Sequence, residues 1–193
     1  MTPRSDIVVT RARIADLLLG RASLTPREHE RAAGMSSRTA AEFVAARALL
    51  RHVLGAAIDR DPLAIEIVEP DGGKPHLPDG ELDFNLAHAG DWVVVALARG
   101  CRVGVDVEPL ATRRDASAIA DAFGLALDPT LPFAQQWVRV EARYKAAGVG
   151  LEIPIDPAVG RDYTVVDLQI ASDHAAAVAW DARDVRLTMK DWS

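Results

Sequence analysis

The chain has 193 residues, with 22 Lys and Arg against 28 Asp and Glu, a formal net charge of −6 and 49% hydrophobic residues. The acidic balance argues against a general nucleic-acid binder, whose phosphate contacts need a basic face. No apolar run approaches the ~20 residues of a membrane span. The start, Met1-Thr-Pro-Arg-Ser-Asp6, lacks a signal-peptide core, and the one cysteine, Cys101, excludes an internal disulfide, so a reducing cytoplasm is the expected location.

In chain order, Thr25-Pro-Arg-Glu28 and Thr39-Ala-Ala-Glu42 read as capping boxes. The second is expected to open a helix whose inner face carries Phe43, Ala46, Leu50, Val53 and Leu54. Strands are predicted over 64–69, 82–88, 92–98, 102–108, 161–170 and 174–180. Short Gly/Asp turns between consecutive strands favour antiparallel pairing, hence an α+β fold with helices packed on sheet faces. The stretch from Pro109 to Pro132, with Arg113 and Arg114, reads as a helix and loop. A helix follows, with Pro132 near its start and Gly148 past its end.

Chemistry concentrates in four segments. Asp71-Gly-Gly-Lys-Pro-His76 lets backbone at Gly73 and Pro75 approach a ligand closely while Lys74 offers a cation. His88 closes Asp83-Phe-Asn-Leu-Ala-His88 just before a turn at Gly90-Asp91, and both segments suit an anionic, phosphorylated ligand. In Gly104-Val-Asp-Val-Glu108 the period of two puts Asp106 and Glu108 on one face, opposite Val103, Val105 and Val107. Trp137, Glu141 and Lys145 follow at i, i+4, i+8 on the helix, so Glu141 can face the strand pair. Three hard oxygen donors with open positions suit Mg²⁺, with Mn²⁺ as an alternative. Each residue also has a plainer reading. Glu141 and Lys145 make an ordinary surface ion pair, Asp106 and Glu108 a solvated edge, Lys74 a turn residue and His88 a structural histidine. Only three lysines occur among the 22 basic residues, Lys74, Lys145 and Lys190, which hints that the ammonium itself matters at the first two.

Gly-Lys-Pro, Phe-Asn-Leu-Ala-His, Gly-Val-Asp-Val-Glu and Trp-x-x-x-Glu-Ala-x-x-Lys, in that order over roughly residues 24 to 180, resemble the 4′-phosphopantetheinyl transferase superfamily, particularly its surfactin-synthetase type. The segment Leu24 to Arg31 and the closing Asp173-His-Ala-Ala-Ala-Val-Ala179 fit the same pattern. The resemblance implies two similar α+β halves related by pseudo-twofold symmetry, here residues 1–102 and 103–193, with the site in the cleft between them and a monomer sufficient to build it. It implies transfer of the 4′-phosphopantetheine arm of coenzyme A to a serine of an apo acyl, peptidyl or polyketide carrier protein, with release of 3′,5′-ADP. Mg²⁺ would be held by Asp106, Glu108 and Glu141. Glu141 would accept the serine proton and Lys145 assist the leaving phosphate, with Arg31, Gly73, Lys74, Pro75, His88 and Lys145 on the coenzyme. The region after Glu108 would help dock the carrier.

The pattern departs at Ala87, where serine usually precedes the histidine, at Val140, where lysine usually precedes the glutamate, and at Glu28, where a basic residue often sits. Arg139 and Arg143 lie about 100° of helix rotation per residue from position 140 and are not clean replacements. These departures keep two rivals in view. One is a diverged relative that binds coenzyme A or a carrier without efficient transfer; the other, more distant, is a Mg²⁺-dependent phosphohydrolase.

Overall fold

The computed structural model describes residues 4–19, 24–71, 73–111, 115–151 and 155–192. Arg113 and Arg114, placed above in the carrier-facing stretch, lie outside them. The elements in order are β1 (Ser5–Arg13), α1 (Ile14–Leu19), α2 (Pro26–Ala33), α3 (Ser37–Ile58), β2 (Asp83–Ala89), β3 (Trp92–Arg99), β4 (Val103–Pro109), α4 (Ala116–Phe123), α5 (Phe133–Ala147), β5 (Thr164–Asp167), β6 (His174–Trp180) and β7 (Val185–Asp191). The fold is α+β, with two sheets ordered β2-β3-β1-β7 and β4-β6-β5. All pairings are antiparallel except β1 with β7, which run parallel.

Alternation of side chains builds the layers. Ile7, Val9, Val94 and Ala96 on one sheet meet Val103, Val105, Val107 and Val178 on the other, closing a core between the sheets. The opposite face of the first sheet, with Phe84, Val93 and Val95, takes Leu49, Leu50 and Leu54 of α3. The opposite face of the second sheet is paved with Ala175, Ala177 and Ala179 and takes Val138, Ala142 and Ala146 of α5. Each fully buried leucine contributes about 1.5–3 kcal/mol relative to exposure. The alanine paving lets α5 ride close to the sheet. A Cβ on Gly104 of β4 would stand 2.2 Å from the Ala142 carbonyl oxygen and 2.3 Å from the Ala146 nitrogen.

Three expectations need correction. The segment 64–69 forms only an isolated bridge, Val68 to His76, after a 3-10 turn at Pro62–Ala64. The buried Arg51 guanidinium donates to the carbonyls of Pro62 and Ile65 at 2.9 Å each, so these acceptors are satisfied without a ladder. The long helix begins at Ser37 rather than at Thr39, because Ser36 Oγ accepts from the Thr39 amide and caps it, while Glu42 pairs with Arg38 at 3.0 Å. The strand predicted over 161–170 is confined to Thr164–Asp167, preceded by a turn with Gly160 at φ +61°. The capping box at Thr25 and Glu28 and the helix stop at Gly148 (φ +73°) are as the sequence predicts. No described helix is long and apolar enough to cross a membrane.

Candidate active site

Strand β4 is where the two sheets meet, because β2 lies beside it without a hydrogen-bonded ladder. The amides on its β2 side are taken by side chains instead: Asp83 Oδ2 accepts from the Val103 N–H at 2.6 Å and Asn85 Oδ1 from the Val105 N–H at 2.9 Å. The i, i+2 spacing of Asp83 and Asn85 on β2 matches the spacing of alternate amides on β4. Lys74 Nζ joins this clasp, bonded to Asp83 and donating to the Val103 carbonyl at 2.7 Å. Burial pulls the Lys74 ammonium below its usual range, with Asp83 opposing. Lys74 thus ties the sheets together in addition to bordering the cleft.

Asp106 and Glu108 pair with Ala177 and Ala175, so both acids point to the α5 side of the second sheet. Asp106 is 4% exposed. Its Oδ1 accepts from Lys145 Nζ at 2.6 Å, and its Oδ2 is buried without a hydrogen-bond partner. Lys145 Nζ also stands 3.5 Å from Glu141 Oε2. Burial, opposed by Lys145 and reinforced by the charges of Glu141 and Glu108, pushes the Asp106 carboxyl up to about 7. Asp106 and Glu141 share one ammonium, and an orphaned buried carboxylate oxygen is a ready ligand for a hard cation. The donor chemistry therefore fits a divalent metal. Among the described residues, however, no three acids, histidines or cysteines are already arranged as a metal-holding group, and Lys145 occupies one Asp106 oxygen.

A cavity of about 420 Å³ lies between β2 and the helices α2 and α3, and it brings Arg31, Gly73, Pro75 and His88 together. A second hollow of about 190 Å³ holds Lys74 and Lys145 and shares Gly73, Pro75 and Asn85 with the first. Glu141, Asp106 and Glu108 line neither hollow; Lys145 is the link from the acid cluster to the cleft.

Sequence reasoning passed over Arg47, Glu69 and Asn85, which also line the larger cavity. Arg47 and Arg51 form ion pairs with Glu28 at 2.6 and 2.7 Å, which explains the acid at position 28: it is a buried structural anchor. The two arginines stand four residues apart on one face of α3, and the pattern Arg47-x-x-x-Arg51 is a signal that could have pointed to a shared acidic partner. Ala87 is buried in the core between the sheets. Arg139, weighed as a replacement cation for Val140, is instead paired with Asp167 at 2.6 Å. Trp137 is a core residue, packed edge-on to Phe123 and stacked on Phe133.

No family model matches the chain. Among curated proteins it is 31% identical over 110 residues to a phosphopantetheinyl transferase of Thraustochytrium sp., covering 55% of this chain and 38% of that protein. It is 35% identical over 118 residues to the 4′-phosphopantetheinyl transferase AcpT of Escherichia coli (strain K12), covering 55% and 57%. It is 30% identical over 124 residues to the 4′-phosphopantetheinyl transferase HetI of a Nostoc strain, covering 56% and 52%. The chain spans about half the length of these relatives, or less. Over a little more than half of its own length, the chain is related to the 4′-phosphopantetheinyl transferases.

Proposed function

We propose that this chain transfers the phosphopantetheine arm of coenzyme A to a serine hydroxyl on an apo carrier protein of the acyl, peptidyl or polyketide class. The observation that carries this reading is the position of Lys145. Its ammonium lies 2.6 Å from Asp106 and 3.5 Å from Glu141, and it borders the hollow that leads into the cavity of Arg31, Gly73, Pro75 and His88. A cavity of about 420 Å³ is in the range of small-molecule sites. The names of the relatives support phosphopantetheinyl transfer in general.

In this reading Arg31 and His88 bind phosphates of the nucleotide, His88 the 3′-phosphate, while Gly73 and Pro75 let backbone approach it and Lys74 adds a cation at the second hollow. Asp106, Glu108 and Glu141 would hold Mg²⁺, which when bound supplies neutralisation of the charge developing on the phosphoryl oxygens. The serine Oγ forms the new bond to the phosphorus bearing the pantetheine arm, and the bond from that phosphorus to the oxygen of 3′,5′-ADP breaks. Glu141 takes the serine proton, directly or through a water, and Lys145 stabilises or protonates the departing phosphate. Intact-protein mass spectrometry of apo carrier proteins incubated with the chain, coenzyme A and Mg²⁺ tests the proposal. The expected result is a mass gain of one phosphopantetheine arm that a chelator abolishes. Coenzyme A binding with no mass gain on any carrier would overturn it.

A further inference from the structure

We propose that Glu69 is an internal stand-in for a ligand phosphate, a carboxylate of this chain that occupies the arginines of the large cavity and sets how strongly a phosphorylated nucleotide binds there. Glu69 Oε2 accepts from Arg31 at 2.9 Å and Glu69 Oε1 lies 2.6 Å from Arg47 Nη1, so one carboxylate uses both oxygens on two guanidinium groups from two different helices. All three residues line the cavity that also holds His88 and Gly73. The side chain of Arg47 is 8% exposed, that of Glu69 37% and that of Arg31 57%, so the acid lies between a deep arginine and an outer one. Arg31 is also held over the Phe43 ring at 5.0 Å, which fixes its guanidinium at the cavity wall.

Two oxygens bridging two arginines is the arrangement a phosphate makes with such a pair. An incoming phosphate must therefore displace Glu69 or share the arginines with it, and a like charge at this distance opposes binding. Glu42, the other acid of the cavity, is engaged by Arg38 and does not bridge the pair. Arg47 is also paired with Glu28 at 2.6 Å, so neutralising Glu69 does not leave this buried guanidinium without a carboxylate. The inference rests on the coenzyme A reading only for the identity of the nucleotide.

The test is calorimetric titration of the wild type, Glu69→Gln and Glu69→Asp at low ionic strength with inorganic pyrophosphate, 3′,5′-ADP and adenosine. Glu69→Gln keeps the shape and loses the charge. It is expected to bind pyrophosphate and 3′,5′-ADP roughly tenfold more tightly than the wild type. Glu69→Asp is expected to stay near the wild type, adenosine to change less than about twofold, and the gain to shrink at high salt and to vanish in Glu69→Gln/Arg31→Ala. A pyrophosphate gain without any binding of 3′,5′-ADP supports the role of Glu69 and counts against coenzyme A as the ligand. Pyrophosphate affinity unchanged or weakened in a Glu69→Gln protein that melts like the wild type overturns the role of Glu69 and leaves the coenzyme A reading standing. If Glu69→Gln does not fold, Glu69→Ser gives the same readout with the same two outcomes.

Discussion

Lys145 donates to Asp106 at 2.6 Å across the seam between α5 and β4, where the helix rides low over Gly104, two residues before Asp106 on the same face of the strand. The depth of that approach places an ammonium, two acids of the strand and one acid of the helix within one cluster.

Replacing Gly104 with alanine puts a methyl group 2.2 Å from the Ala142 carbonyl oxygen and 2.3 Å from the Ala146 nitrogen, both backbone atoms that cannot rotate away. The helix must lift from the sheet. We expect Gly104→Ala to cost about 3 kcal/mol in chemical denaturation and to lower pantetheinyl transfer along with it, since Lys145 and Glu141 lift away from Asp106. Wild-type stability in this variant would show that α5 does not pack as described.

Lys145→Ala leaves the alanine-paved packing of α5 intact and removes the ammonium shared by Asp106 and Glu141. Transfer to a carrier protein should fall by roughly 10²–10⁴-fold, with a circular dichroism spectrum like that of the parent. A loss of less than about tenfold would take Lys145 out of the chemistry.

Asp106→Asn preserves the shape at a position 4% exposed and can still accept from Lys145. A buried carboxylate with one unpartnered oxygen is costlier than an amide. Stability should therefore stay within about 1 kcal/mol of the wild type or rise, while transfer is abolished. Glu141→Gln should lose transfer in the same way. Near-normal turnover in either variant would remove these acids from the site.

Glu28 governs the acid limit of the fold. Burial alone would raise its carboxyl, but hydrogen bonds from Arg51, the Thr25 backbone and Arg47 carry it from the ordinary 4.5 down to about 2. The sign follows from linkage: a depressed carboxylate contributes stability that is full above the unfolded value and is lost as pH falls from about 4.5 to about 2. The contribution is on the order of 3 kcal/mol. Glu28→Gln should be destabilised at pH 7, leaving two buried arginines underpaired, and the gap between variant and wild type should narrow as pH is lowered through that window. Denaturant melts at several pH values read this directly, and parallel stability curves would contradict it.

Much of this was legible in the residues themselves. Period two in Gly104-Val-Asp-Val-Glu108 placed both acids opposite the valines, and the spacing of Glu141 and Lys145 placed them one turn apart, because alternation and helical repeat are local properties. Two strands of the first sheet were legible too and were passed over: Ile7 and Val9 in β1, and Val185, Leu187 and Met189 in β7, alternate in the same way. What alternation cannot give is partnership. That β7, from the end of the chain, lies parallel to β1, and that Arg31 and Arg47 close on Glu69 38 and 22 residues away, are settled by which apolar faces find each other, a choice made in three dimensions.

Sequence by itself determined the α+β class, the helix stop at Gly148, the shared face of the two strand acids and the likeness to the transferases, all of which depend on residue type and short-range period. Only the tertiary structure decided that Lys74 is a buried tie between the sheets, that Glu28 is an anchor, and that Glu69 holds the arginines of the cavity. Those roles depend on which charges are left facing each other once water is excluded, and exclusion of water is a property of the packed layers.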